Sequence, residues 1–243
     1  MPPTTVQSLL TSLVREPGRP RLTWYGDDHE RVELSGAVLE NWVNKTTNLL
    51  VEEFDAQAGV RVALDLPGHW RTVVWALAVW RTGACVVPPG DAATDVVVTD
   101  RPAEVVGSPH VVAVALPALA RRFPEPLPAG ATDAAGAVMT YGDVVGWTAA
   151  VDPSALALDA DVVRTHADLL RGAAPAPHRV LVPAPERADA VAFLLDVLAV
   201  LEGDGSVVAT SPEVTAELRS DAPRLARLVA SERITAGALV DEG

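Results

Sequence analysis

The side chains able to do chemistry are few and scattered. Five histidines stand at His29, His69, His110, His166 and His178, and no two fall at H-x-x-x-H spacing. The lone cysteine, Cys85, excludes an intrachain disulfide, a cysteine zinc cluster and an iron–sulfur site. No metal and no cofactor is expected from this set. Ser154 and Ser35 lack a G-x-S-x-G elbow, so neither reads as a hydrolase nucleophile. No G-x-G-x-x-G or G-x-x-x-x-G-K-[ST] run exists, so dinucleotide and P-loop binding find no support. Cys85 lies in an apolar run and reads as a small buried hydrophobe. The only lysine is Lys45, on an early helical segment. Tyr141-Gly142-Asp143 reads as a turn, and Gly203-Asp204-Gly205 and Gly90-Asp91 as strand-flanking turns.

The elements that would position such residues read clearly. Helical spacing marks 4–14, ended by Pro17 and Pro20. Arg21 to Tyr25 and Glu30 to Leu34 alternate around Gly26-Asp27-Asp28, a hairpin pattern. Ser35 caps a second helix, with Leu39, Trp42, Val43, Thr46, Leu49, Leu50 and Phe54 on one face. Then follow an apolar strand, 60–66, a helix, 69–82, closed by Gly83, and a strand, 84–87. This is a βαβ unit with an expected right-handed crossover. In that helix Trp70, Trp75 and Trp80 are about 140° apart at each step, which fits burial on several sides. Further strands are expected at 95–99, 111–115, 179–182 and 206–209, and helices at 161–171, 188–201, from Pro212 onward, and 223–229. The segment 138–147 is mixed, and Ile234-Thr235 lies near the end.

The fold class expected is α/β, with layered, mainly parallel sheets flanked by helices. The 243 residues read as a single α/β domain, with two lobes, about 1–130 and 137–243, on either side of a Pro/Gly-rich connection at 123–136. Nineteen basic against 32 acidic residues give a net charge of −13, and the pI is near 4.7. That excludes a nucleic-acid surface and an anionic membrane partner. The hydrophobic fraction of 49% excludes disorder, and mean hydropathy is +0.22. No uncharged apolar run reaches membrane-spanning length. The N-terminus lacks a basic start followed by an apolar core, so the expected compartment is the cytoplasm.

The order of these pieces resembles the N-terminal half of the adenylate-forming (AMP-binding) superfamily: acyl-CoA synthetases, luciferase and peptide-synthetase adenylation domains. Gly59-Val60-Arg61-Val62-Ala63-Leu64-Asp65-Leu66-Pro67-Gly68-His69-Trp70, followed by Gly83-Ala84-Cys85-Val86-Val87-Pro88, is similar to the family's G-D-R-V-A-L-x-L-P … G-A-x-x-V-P block. Helix 34–50 is similar to its T-Y-x-E-L helix. Val162 to Leu170 is similar to V-x-x-T-H-x-N-L, and 178–208 to its later strand–helix–strand.

The resemblance implies a phosphate loop, Y-T-S-G-T-T-G-x-P-K-G, just before the V-x-x-T-H segment. In the family its glycines let N–H groups reach ATP phosphates and its lysine neutralises charge. The matching place is Trp147 to Ala160, which has no Gly, Lys or Arg and carries Asp152 and Asp159. A carboxylate about 4 Å from a phosphate charge costs about 4 kcal/mol at a dielectric of ~20. The segments that would carry the nucleotide pocket, the Mg²⁺ ligand and the adenylation lysine are not matched either. The expectation is therefore a truncated relative without adenylation activity, acting as a binding or regulatory module. Its partner would be another protein or a small acyl or nucleoside ligand, and the chain is compatible with an oligomer. Trp147, Thr148, Thr165 and His166 are the candidates for a vestigial pocket, and no catalytic residue is assigned. Two other readings stay open: half of a split carboxylate-activating enzyme completed by a separate chain, or an unrelated α/β enzyme.

Overall fold

The computed structural model describes residues 3–172, 176–185, 187 and 190–240. It holds two compact units. Unit 1 comprises residues 1–39, 67–73 and 170–243, and unit 2 comprises 40–66 and 74–169.

Unit 1 is built on a five-stranded sheet. Its strands are β1 (Pro20–Tyr25), β2 (Arg31–Ser35), β10 (Arg179–Pro183), β11 (Ser206–Thr210) and β12 (Ala236–Gly237), in the order β12-β10-β11-β1-β2. The β1–β2 hairpin is antiparallel, and the other pairings are parallel. Asp28 and His29 take left-handed backbone angles at the hairpin turn. Helix α1 (Val6–Leu13) is capped by Thr5, whose hydroxyl accepts the Ser8 N–H, and it buries Val6, Leu9, Leu10 and Leu13. Helix α6 (Ala190–Glu202) buries Phe193, Leu194, Val197, Leu198 and Leu201. Helices α7 (Pro212–Ser220) and α8 (Ala222–Glu232) complete the layer, and Leu181, Val208, Val214 and Leu218 share a cluster onto which Leu225 and Leu228 pack. Arg21 is buried at the base of β1 and donates to the carbonyls of Asp204 and Gly205 while pairing with the Asp204 carboxylate at 2.8 Å. Glu232 ties α8 to the sheet by accepting from Tyr25 and Arg31 and pairing with Arg179.

Unit 2 is built on a seven-stranded sheet. Its strands are β3 (Arg61–Asp65), β4 (Cys85–Val87), β5 (Val96–Thr99), β6 (His110–Ala113), β7 (Thr132–Asp133), β8 (Leu156–Asp159) and β9 (Val163–Thr165). The order is β7-β6-β5-β3-β4-β8-β9, parallel except for the β8–β9 hairpin. β3, helix α3 (Trp70–Thr82) and β4 form the expected βαβ unit, with Gly83 at φ +87° ending the helix. The three tryptophans of α3 are all buried, at 2–3% exposure. Helix α2 (Gly36–Phe54) buries polar Asn44, Thr47 and Asn48 as well as its apolar face.

The fold class matches the expectation from sequence. Three details differ. The Pro/Gly-rich stretch 123–136 lies wholly inside unit 2, where Phe123 plugs a small cluster with Ala113 and Ala115, so it does not divide the units. The units interleave along the chain instead of splitting near 130. Residues 161–171 are not one helix: Val163–Thr165 pair with β8, and only His166–Leu169 turn helically, as α5. β-branched Val163 and Thr165 gain more from extending the sheet than from a helical turn. Of the expected helix 188–201, residues 188 and 189 lie outside the described residues.

Candidate functional site

The resemblance points to Trp147 to Ala160, the stretch before Val162-Val163-Arg164-Thr165-His166. Leu156–Asp159 is strand β8, held in the sheet by pairing of Leu158 with Val86 and burying Ala157 and Leu158. Trp80 Nε1 donates to the Ala157 carbonyl at 2.8 Å and fixes the strand's height. The chain then turns through three residues, Ala160, Asp161 and Val162, and returns as β9. Thus Trp147–Ala160 is not one loop: its last part is buried strand. The turn that leads into the V-x-x-T-H-like segment, sharing Val162 with it, has one carboxylate and no glycine or lysine.

The four vestigial-pocket candidates have separate surroundings. His166 is buried and its Nε2 lies 3.0 Å from the Gly83 carbonyl oxygen, so Nε2–H is the donor. Burial lowers its pKa, leaving the ring neutral. Thr165 donates its hydroxyl to Asp168 at 2.7 Å. Trp147 is 67% exposed on a loop, beside half-buried Thr148. The hydrogen bonds of His166 and Thr165 lead to different partners and do not converge on a shared point.

The sole lysine is structural. Lys45 Nζ donates to the Tyr141 carbonyl at 2.7 Å and pairs with Asp143 at 2.6 Å. Its helix neighbours finish the clamp. Asn44 donates to the Asp143 carbonyl, Asn48 donates to the carbonyls of Gly142 and Val144, and Asn48 Oδ1 accepts the Gly146 N–H. The irregular segment 141–146 is thereby strapped along α2. Tyr141 hydroxyl donates to Glu53 at 2.6 Å, and burial together with that carboxylate raises its pKa to about 12. Tyr141-Gly142-Asp143 is therefore part of this strap, which the sequence pattern alone read as a turn.

A cleft of about 500 Å³ opens in unit 2 alongside β3 and β5, lined by Asp65, Asp91, Thr94, Val97, Arg101 and Val106 among others. Its size suits a small ligand. Thr99 donates to Asp65 Oδ2 at 2.7 Å and Arg101 to Asp65 Oδ1 at 3.0 Å. The carboxylate is thus engaged by its own neighbours. Asp65 stood in the apolar run 60–66, and a carboxylate at the end of a parallel strand was the signal available for it. Cys85 is buried, and burial raises its thiol to about 11, which suits packing and not nucleophilic chemistry. His69 precedes α3, is buried, and accepts the Arg71 N–H at Nδ1, 3.2 Å away. Among the described residues no group of three or more His, Cys, Asp or Glu is placed to hold a metal ion. Nor, among them, is any helix long and apolar enough to cross a membrane.

Comparison with known proteins bears on the architecture. No family model matches the chain. A curated protein of Mycobacterium tuberculosis H37Rv, known by a family designation alone, is 39% identical over 155 residues, 59% of this chain and 63% of that protein. Among solved structures, the Brucella canis acyl-CoA synthetase superposes with a TM-score of 0.72 at 18% identity, covering 98% of this chain and 49% of that one. A Mycobacterium tuberculosis fatty acyl CoA synthetase gives 0.67 at 14%, covering 96% and 49%. An amide bond synthetase from Marinactinospora thermotolerans gives 0.65 at 17%, covering 96% and 48%. The chain spans about half the length of these solved proteins, and its fold is that of the N-terminal part of adenylate-forming enzymes.

Proposed function

We propose that this chain is a binding module on an adenylate-forming N-terminal fold, and that it does not itself activate a carboxylate with ATP. One observation carries the reading. Where the resemblance calls for a phosphate loop, Trp147 to Ala160, the chain has no Gly, Lys or Arg, and Leu156–Asp159 of that stretch is strand β8, followed by the short turn into β9. Asp161 adds a negative charge where a triphosphate would need donors and a cation. The engagement of Lys45 with Tyr141 and Asp143 supports the same reading, because no other lysine is present. The module works in the cytoplasm, and its ligand is a protein partner or a small acyl or nucleoside compound.

A thermal-shift series of the chain with MgATP, AMP and CoA tests this. The expected result is an unchanged Tm with MgATP at millimolar concentration. A ligand at 100 times its Kd adds about 2.7 kcal/mol, which a melt detects readily. A saturable rise with MgATP overturns the proposal.

The match of this fold to the N-terminal part of solved acyl-CoA synthetases supports one second reading, in which a separate chain completes a split carboxylate-activating enzyme. Carboxylate-dependent ATP–pyrophosphate exchange appearing only on addition of a second purified chain would replace the first reading with this one.

A further inference from the structure

The cleft of unit 2 has a topological cause. From β3 the chain leaves through α3 to β4 on one side, then crosses back past β3 to β5 and goes on to β6. Right-handed crossovers put α3 on one face of the sheet and the two returning connections, 88–95 and 100–109, on the other. Connections between parallel strands usually run to about a dozen residues or more and carry an α-helix that covers the sheet. These two are shorter and hold one 3₁₀ turn, Pro102–Glu104; the next α-helix, α4 (Ala134–Ala137), follows β7. The side chains beneath are short: Val97, in the lining of the cleft, packs on Ala63, Cys85 and Val87. Loops over short side chains leave the space of about 500 Å³.

The charges that line it select the ligand. Asp65 is the last residue of β3, and Arg101 follows β5 by two. β3 and β5 are neighbours from which the chain departs in opposite directions, and α/β sheets bind ligands at such switch points. The Asp65 side chain is 9% exposed, and its carboxylate accepts from buried Thr99 and from Arg101. A carboxylate held that deeply costs stability, a cost that binding sites bear. The lining sets three carboxylates, Asp65, Asp91 and Glu104, against one guanidinium, Arg101. Arg101 is divided between Asp65 and Glu104, and Arg61 between Asp91 and Asp159. A carboxylate offers about four lone-pair sites, so Glu104 keeps acceptors for a further donor. Pro89, Val97 and Val105 make the lining partly apolar.

We infer that this cleft binds a small organic cation, an amine or guanidinium group on an apolar body, with its charge on Glu104 and its body against Val97 and Val105. A carboxylate or phosphorylated compound meets the excess of negative charge and is refused. The inference rests on the binding-module reading and names the class of small ligand that module takes.

The test titrates the isotope-labelled whole chain with phenethylamine and follows its amide resonances by NMR. Phenethyl alcohol and hydrocinnamate, of similar size but neutral and negative, are the controls. Saturable shifts are expected within 89–94 and 101–108, with both controls at least about tenfold weaker and the affinity for the amine falling as salt rises. Glu104→Gln is expected to weaken the amine about fivefold. Glu125→Gln, at an exposed position on the 123–136 stretch, changes net charge equally and is expected to leave binding intact. Val97→Phe fills the cleft and is expected to abolish the shifts. Melting curves show which variants fold; the Glu104 side chain is 64% exposed, so its variant decides the matter if Val97→Phe unfolds the chain. Equal losses in the two glutamate variants would mean diffuse attraction to an acidic protein and overturn the inference. So would an amine that binds no better than the alcohol, shifts centred outside the cleft, or no saturable shift at millimolar amine. Nucleotide melts are independent of these outcomes: a MgATP shift would end the binding-module reading whatever the amine does, and a failed amine leaves that reading standing.

Discussion

At the residue scale, the informative side chains are those whose environment removes them from chemistry. His69 is 5% exposed, and burial, aided by the nearby Arg71 charge, lowers its pKa to about 3. Its ring stays neutral and accepts the Arg71 N–H. Because the folded pKa lies below the unfolded value, its stabilising share is complete above about pH 6.5 and is lost as pH falls toward 3. Between pH 7 and pH 5 that loss is about 2 kcal/mol. His69→Asn keeps an acceptor for the amide and removes the titration. Urea melts at the two pH values should show the acid loss shrinking by about that amount, and an unchanged loss would place the acid sensitivity elsewhere. His69 was read from sequence as a residue at a helix start, which is its place; its neutrality comes from Trp24 and Trp70, packed at centroid distances of 4.7 and 5.7 Å.

At the element scale, the strap on α2 is the feature that periodicity missed. Asn44 and Asn48 are one turn apart on a helix whose apolar face was legible, and both are nearly buried. Buried amides need partners, and they find them in the backbone of 141–146. A local pattern in 138–147 could not reveal this, since the segment's order comes from a helix about 95 residues earlier. Asn48→Ala leaves two carbonyls and one N–H without their partner and should cost about 2–3 kcal/mol. Denaturant melts measure the cost, and limited proteolysis should cut near 141–147 faster in the variant. Cleavage at the wild-type rate would mean that the strap is held by Lys45 and Tyr141 instead. The β8–β9 hairpin teaches a related point. Residues 161–171 read in sequence as a helix, and only pairing with β8 showed that Val163–Thr165 is a strand and how short its connection is.

At the whole-molecule scale, composition governs behaviour more than any site does. With 32 acidic and 19 basic residues, repulsion between copies is strong at neutral pH. Turbidity across pH should peak near the pI of about 4.7. A solubility minimum more than a unit away would show that buried or paired carboxylates titrate far from their ordinary range. The two compact units were not separable in the sequence, because each is assembled from stretches distant along the chain.

The alternation of apolar strands and helices, the βαβ unit around Trp70–Thr82, the hairpin at 20–35 and the lack of Gly, Lys and Arg in Trp147–Ala160 were all written in the sequence, because they depend on local periodicity, turn residues and composition. The tertiary structure alone decided which strands are neighbours, where the edge of each sheet falls, what Lys45 and His166 contact, and how few residues separate β8 from β9. Those depend on pairings and burial between residues far apart in the chain, and no local signal encodes them.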